Sequence, residues 1–203
     1  MPADGRELAR ALRASVRDER VLRAIASVPR DLFVPPELHA SAWADCALPI
    51  AADQTISQPT VVARMCELLT LTGAETVLDV GTGSGYHAAV LSRLVTHVYS
   101  IERHPELTED ARRALARAGI RNVTLVSGDG TRGHPEAAPY GAINVAARAA
   151  QVPPALLEQL AVGGRLVIPL TEGEQHLVRL RRTHGGVVEE RFERVSFVPL
   201  VRD

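Results

Sequence analysis

The stretch from Val77 to Tyr86, VLDVGTGSGY, restricts the fold more than any other part of the chain. An apolar run broken only by Asp79 ends at Gly81. Gly81, Gly83 and Gly85 then alternate with small residues, and a helical pattern begins at Tyr86. A buried strand that runs through a glycine turn into a helix is the opening unit of an open parallel sheet. The rest of the chain repeats that rhythm. Apolar runs predict strands at 76–80, 97–102, 123–127, 140–145 and 165–170. Helical periodicity falls between them at 59–71, 86–94, 105–118 and 153–160. Pro105 opens one helix near its first turn, and Gly163-Gly164 stops the last. Two further β-like runs, 175–182 and 187–198, flank the turn His184-Gly185-Gly186. The expected architecture is α/β: a doubly wound, mostly parallel Rossmann-like sheet with an antiparallel C-terminal hairpin.

Ahead of this lies a different pattern. Leu8, Leu12 and Val16 fall at helical spacing, and Val21, Leu22 and Ile25 form a second stripe. Pro29, Pro35 and Pro36 then interrupt any regular element. The chain therefore divides into a small helical lobe with a loop that covers the site, 1–58, and a core domain, 59–203. Hydrophobic residues make up 46% of the 203, enough to fill one such core.

Charge and composition exclude several functions. The net charge is −1 and every Lys/Arg cation is arginine, so the chain is no basic nucleic-acid binder. No run approaches the roughly 18 apolar residues of a membrane span. The N-terminal MPADGRELAR is charged rather than a signal sequence. Cys46 and Cys66 lack metal spacing and read as two small buried hydrophobes in a reducing cytoplasm. The seven histidines form no HxH or HExxH set, so no metal is expected.

The glycine spacing selects the ligand. GxGxG followed by Tyr86 departs from the dinucleotide fingerprint, which wants Gly or Ala at that place. No Gly-Lys-Ser/Thr follows, so there is no phosphate loop with its lysine. The next strand ends in Glu102, about 20 residues beyond the loop, where a carboxylate can accept from both hydroxyls of a ribose. The third strand leads into Gly128-Asp129-Gly130, an acid beside a tight turn that can accept from an adenine amino group. Asp79 can meet a cationic amine. These pieces ask for an adenosine without a pyrophosphate, and that ligand is S-adenosylmethionine.

With the cofactor in place, further segments resemble the protein-L-isoaspartate O-methyltransferase family. They are VPRDLFVPPEL from Val28, LPI, QTISQP from Gln54 to Pro59, YSIER, GDG, PPALLEQL, GGRLVIP and the closing FVPL at Phe197 to Leu200. QTISQP is the specific one, because other methyltransferases share only the glycine loop. The resemblance covers nearly the whole chain from Val28 onward. It implies methylation of the α-carboxyl of L-isoaspartyl residues in proteins or peptides, with return through a succinimide towards aspartate. It implies a catalytic role for Ser57. Cofactor contacts carry over to Thr55, Ile56, Ser57, Asp79, Gly81, Thr82, Gly83, Glu102, Arg103, Asp129 and Gly130. From the residues alone, Ser57 also reads as an N-cap of the helix that begins near Pro59.

One segment departs from the family pattern. Where the family reads [FY]DAI-x-V-[TG]-AAAP, this chain has Tyr140-Gly-Ala-Ile-Asn-Val-Ala-Ala-Arg-Ala-Ala150. Gly141 replaces an acid, Arg148 a small residue and Ala150 a proline. Thr60 stands where some members carry an aromatic residue or histidine. Ala147 and Arg148 are expected beside the substrate carboxylate, where an arginine either blocks a bulky peptide or grips a carboxylate through two donors. A solvent-facing Arg148 at a helix start is the competing reading. The expectation is a repair enzyme acting on many proteins that bear isoaspartyl residues, with no nucleic-acid or membrane partner. A dedicated aspartyl O-methyltransferase for one precursor peptide is the alternative. A non-catalytic cofactor-binding module has no need of Ser57, and methylation of a small molecule is a further possibility.

Overall fold

The computed structural model describes residues 2–202. Two strands are too short for any periodicity to announce, β1 (Leu48–Pro49) and β2 (Thr55–Ile56), which pair antiparallel within the proline-rich segment. The main sheet has seven strands: β3 (Thr76–Val80), β4 (His97–Glu102), β5 (Val123–Ser127), β6 (Tyr140–Val145), β7 (Leu160–Glu172), β8 (Glu174–Thr183) and β9 (Gly186–Arg194). Their spatial order is β5-β4-β3-β6-β7-β8-β9. The first five run parallel; β8 and β9 are antiparallel. The order reverses between β3 and β6, the crevice where an open α/β sheet takes its ligand.

The N-terminal lobe holds α1 (Gly5–Leu12) and α2 (Glu19–Ser27), capped by Asp4 and Asp18. Their apolar stripes enter the same core cluster as Val77, Val90 and Val98 of the sheet domain. α3 (Pro59–Leu68), α4 (Tyr86–Ser92), α5 (Pro105–Arg117) and α6 (Pro154–Gln159) connect the strands. A second cluster on the other side of the sheet joins Leu78, Val80, Ile143 and Leu166. Burying one apolar stripe per helix and both faces of the central strands is what holds such a layered fold together.

Three expectations change. α6 ends at Gln159 without help from Gly163-Gly164, which lie inside β7 at a register irregularity opposite Tyr140 and Ala142. The last strand stops at Arg194; Val195 N still donates to Gln175 O of β8 at 3.0 Å and Phe197 N to its side chain at 2.7 Å, and the chain beyond forms no strand. Of the two thiols only Cys66 is buried; Cys46 is exposed. Gly141 has a local reason: a Cβ there would stand 2.7 Å from Glu75 Cγ, and Glu75 is held by the turn at Thr72 and Gly73. No helix among the described residues is long and apolar enough to cross a membrane.

Candidate active site

The glycine loop runs from the end of β3 to the start of α4. Gly81, Gly83 and Gly85 have φ of +90°, +53° and +86°, a region that costs any residue with a Cβ. Gly85 is the N-cap of α4. The loop is tied to the next strand: Gly81 N and Thr82 N both donate to Ile101 O at 2.9 and 3.1 Å. The alternate glycines therefore answer first to backbone geometry, and the bare main chain they leave is one wall of a cleft.

Glu102, at the end of β4, forms the floor. It is 6% exposed. One carboxylate oxygen accepts from Gly83 N at 2.9 Å and the other from His104 N at 3.0 Å. Each oxygen keeps a lone pair for a ligand hydroxyl. Gly81, Gly83, Glu102, Arg103 and Gly130 line one cavity. Gly130 has no room for a side chain, because a Cβ would lie 2.5 Å from Val80 Cγ1. Asp129 borders the adjoining hollow with Gly128 and caps its own turn, accepting from Thr131 N at 2.8 Å and Thr131 Oγ1 at 2.7 Å. These features fit an adenosine: a carboxylate with spare acceptor capacity, bare backbone on either side and an acid at the far end.

Asp79 lies beneath the loop. It is fully buried, and its oxygens accept from Ser100 Oγ and Asn144 Nδ2, both at 2.7 Å. Asp79, Ser100 and Asn144 are register partners across β4, β3 and β6, so one row of polar side chains crosses the sheet beneath the loop. Ser100 Oγ also bonds Thr82 Oγ1 at 2.7 Å, and Asn144 Nδ2 lies 3.2 Å from His87 Nδ1. Burial pushes the Asp79 carboxyl up to about 6 despite both hydrogen bonds. Burial holds His87 down at about 3, so that imidazole is neutral. Asp79 thus supports the loop from within. Thr82 belongs to the same network.

Thr55, Ile56 and Ser57 come over the glycine loop. They line a small cavity together with Gly81, Thr82 and Gly83. Thr55 also lines the Glu102 cavity. Ser57 is half-buried and is not the cap of α3. That position belongs to Gln58, whose side chain makes no capping bond. Among the described residues, no group bonds the Ser57 hydroxyl. It borders a second hollow with Gln58, Val61 and Phe197.

The far wall is one that sequence reading did not assign. Val198, Pro199, Leu200 and Val201 line the Glu102 cavity, joined on the near side by Gln54. The segment is zipped to the loop after β6: Arg148 N donates to Val198 O at 2.9 Å, and Leu200 N donates to Arg148 O at 2.8 Å. Arg148 is therefore not at a helix start; its main chain holds the tail, and α6 begins only at Pro154. Ala147 lines the cleft, while Arg148 is half-buried outside its lining. FVPL was visible as a family signature, but nothing local shows that a strandless tail returns across the sheet.

The chain is similar to known proteins over almost its whole length. The family model described as protein-L-isoaspartate(D-aspartate) O-methyltransferase matches residues 4–203. A protein-L-isoaspartate O-methyltransferase 1 of Anaeromyxobacter sp. (strain Fw109-5) is 55% identical over 199 residues, covering 96% of this chain and 94% of that protein. A protein-L-isoaspartate O-methyltransferase of Ignicoccus hospitalis is 50% identical, covering 98% and 97%. A solved Plasmodium falciparum structure, described as a protein-L-isoaspartate O-methyltransferase in complex with S-adenosyl-L-homocysteine, superposes with a TM-score of 0.88. It shares 23% identity and covers 100% of both chains.

Proposed function

Because the chain belongs to the protein-L-isoaspartate (D-aspartate) O-methyltransferase family, we propose the following division of labour for its S-adenosylmethionine-dependent methylation of L-isoaspartyl residues. The observation that carries it is the Ser57 hydroxyl, unbonded among the described residues and held over the glycine loop beside the Glu102 cleft that Thr55 lines. When bound, S-adenosylmethionine supplies an electrophilic methyl group, whose transfer to a carboxylate oxygen breaks the carbon–sulfur bond and leaves S-adenosylhomocysteine.

The protein needs no strong base for this. The substrate carboxylate is ionised at neutral pH, about three units above its pKa. Glu102 accepts from the ribose hydroxyls while keeping Gly83 in place. Asp129 accepts from the adenine amino group, and Gly130, packed against Val80, offers the base bare backbone to lie on. Arg103 flanks the ribose. Asp79, through Ser100, Thr82 and Asn144, fixes the loop on which the amino-acid end rests. Thr55 and Ile56 cover the reacting centre and exclude water. Ser57 donates a hydrogen bond to the α-carboxylate and aims one oxygen for in-line displacement. Alignment of this kind is worth up to about 7–11 kcal/mol in favourable cases. The methyl ester product loses methanol when the following backbone nitrogen attacks it, and hydrolysis of the resulting succinimide yields aspartate as one product.

Two-sided coverage by relatives that carry the general isoaspartate name, at about half identity, favours a broad protein substrate over one dedicated peptide. Arg148 and Ala147 stand where the tail meets the site, and Arg148 bears on which flanking residues are accepted. Two unpaired cysteines suit the cytoplasm. The test of the division of labour is Ser57→Ala. It should slow methylation of an isoaspartyl peptide steeply, to a small residual rate, while S-adenosylhomocysteine still binds; an undiminished rate refutes the role of Ser57.

A further inference from the structure

We propose that Asp45 is a positioning residue for Ser57; the inference rests on the role proposed for Ser57 above. Asp45 is exposed and contributes nothing to the core. Yet its carboxylate makes three hydrogen bonds to the residues that follow Ser57. One oxygen accepts from Thr60 N at 2.8 Å; the other accepts from Thr60 Oγ1 at 2.6 Å and Gln58 Nε2 at 3.1 Å. The start of α3 has need of this. Gln58 provides no side-chain cap, and Pro59 has no N–H, so Thr60 N is the first donor of the helix that requires an acceptor. Asp45 supplies it from 15 residues upstream, and a negative charge at a helix start is favourable in itself.

The same segment also holds the other side of Ser57. Leu48 and Pro49 pair with Ile56 and Thr55. Residues 45–49 thus grip the chain at 55–56 and again at 58–60, and Ser57 is fixed between the two grips. The segment is itself anchored. Arg30, fully buried, donates from Nε to Ala42 O at 2.8 Å and from Nη2 to Cys46 O at 3.2 Å, on either side of Asp45. Its guanidinium stands 4.8 Å from the ring centroid of Tyr86, the first residue of α4 after the glycine loop. A continuous set of contacts therefore runs from the glycine loop through Tyr86, Arg30 and Asp45 to the helix start beside Ser57. Loss of one capping acceptor at a helix start is a modest cost beside the stability of a whole domain, so Asp45→Ala should act on placement and leave the chain folded.

The experiment compares Asp45→Ala, Asp45→Asn, Ser57→Ala and the double variant Asp45→Ala/Ser57→Ala. It measures kcat for an isoaspartyl peptide, the S-adenosylhomocysteine Kd by calorimetry, and Tm. Asp45→Ala should lower kcat by roughly 10- to 100-fold, the scale of a misplaced catalytic group. Its Kd should stay within about twofold, since no cofactor contact is lost. Asp45→Asn should recover most of the rate, because its amide oxygen still accepts from Thr60 N and its NH₂ group can donate to Thr60 Oγ1. The double variant should be no slower than Ser57→Ala, as expected of residues acting as a unit. Unchanged kcat in Asp45→Ala overturns the proposal, as does a further loss in the double variant. Equal loss of rate and cofactor affinity would mark Asp45 as merely structural and overturn it too. Full activity of Ser57→Ala would instead remove the role of Ser57 itself, an outcome distinct from all of these.

Discussion

Replacement of Glu102 by Gln tests the cofactor cleft where its chemistry is most specific. In the wild type the two carboxylate oxygens accept from Gly83 N and His104 N at 2.9 and 3.0 Å. An ionised carboxylate has room for two ribose hydroxyls in addition. Glutamine keeps one acceptor oxygen and sets an NH₂ group where the second stood. That group faces either a backbone N–H or a ribose hydroxyl that must reorient. One charge-assisted hydrogen bond is lost, at a cost of about 1.5–3 kcal/mol. The expected result is a rise of roughly 10- to 150-fold in the Kd for S-adenosylhomocysteine, from about 1.4 kcal/mol per tenfold. Because the ribose is remote from the transferred methyl, kcat at saturating cofactor should change by no more than about threefold. Calorimetry with S-adenosylhomocysteine, run beside saturation kinetics, reads both. A Kd within about twofold of the wild type would refute the ribose assignment. A fall in kcat with Kd unchanged would place Glu102 near the reacting centre and equally contradict it.

Gly130→Ala should destabilise the protein by about 1–3 kcal/mol, the cost of forcing a methyl against a packed neighbour, because its Cβ would lie 2.5 Å from Val80 Cγ1; thermal melts check this, and an unchanged Tm would contradict it. The buried His87 gives a pH signature of fixed sign. Its pKa is depressed to about 3, so between the ordinary histidine value and that point the unfolded chain binds more protons, and stability falls as pH falls. Asp79, raised to about 6, has the opposite sign from there down to the ordinary aspartate value and blunts the slope. In His87→Gln, Tm should therefore drop less on going from neutral to mildly acidic pH than in the wild type; parallel curves would refute the assignment. Arg148→Ala should shift the KM for isoaspartyl peptides according to their flanking residues, and identical kinetics across a peptide panel would remove it from substrate choice.

The parts of the fold that were legible are those whose cause is local. The strands Thr76–Val80, His97–Glu102, Val123–Ser127 and Tyr140–Val145 stand where the apolar runs placed them. Such runs are short, β-rich and bounded by glycine, proline or polar turns. The glycine loop, Glu102 and the Asp129 turn arrived at three successive strand ends, as their order along the chain implied. What escaped sequence reading depends on which distant segments meet. The bonds of Asp79 to Ser100 and Asn144 were not legible, because one sequence does not show that the two share its register. Ser57 looked like a helix cap because the true acceptor, Asp45, lies well upstream in a segment without a regular element. The tail at Val198–Leu200 crosses back to Arg148 by two main-chain hydrogen bonds that no side-chain pattern encodes.

The most direct test of the account is methyl transfer from radiolabelled S-adenosylmethionine to an L-isoaspartyl peptide, beside the same peptide with L-aspartate. Label is expected on the isoaspartyl peptide alone, falling steeply in Ser57→Ala while S-adenosylhomocysteine binding persists. Equal labelling of both peptides, or undiminished labelling in Ser57→Ala, would contradict this.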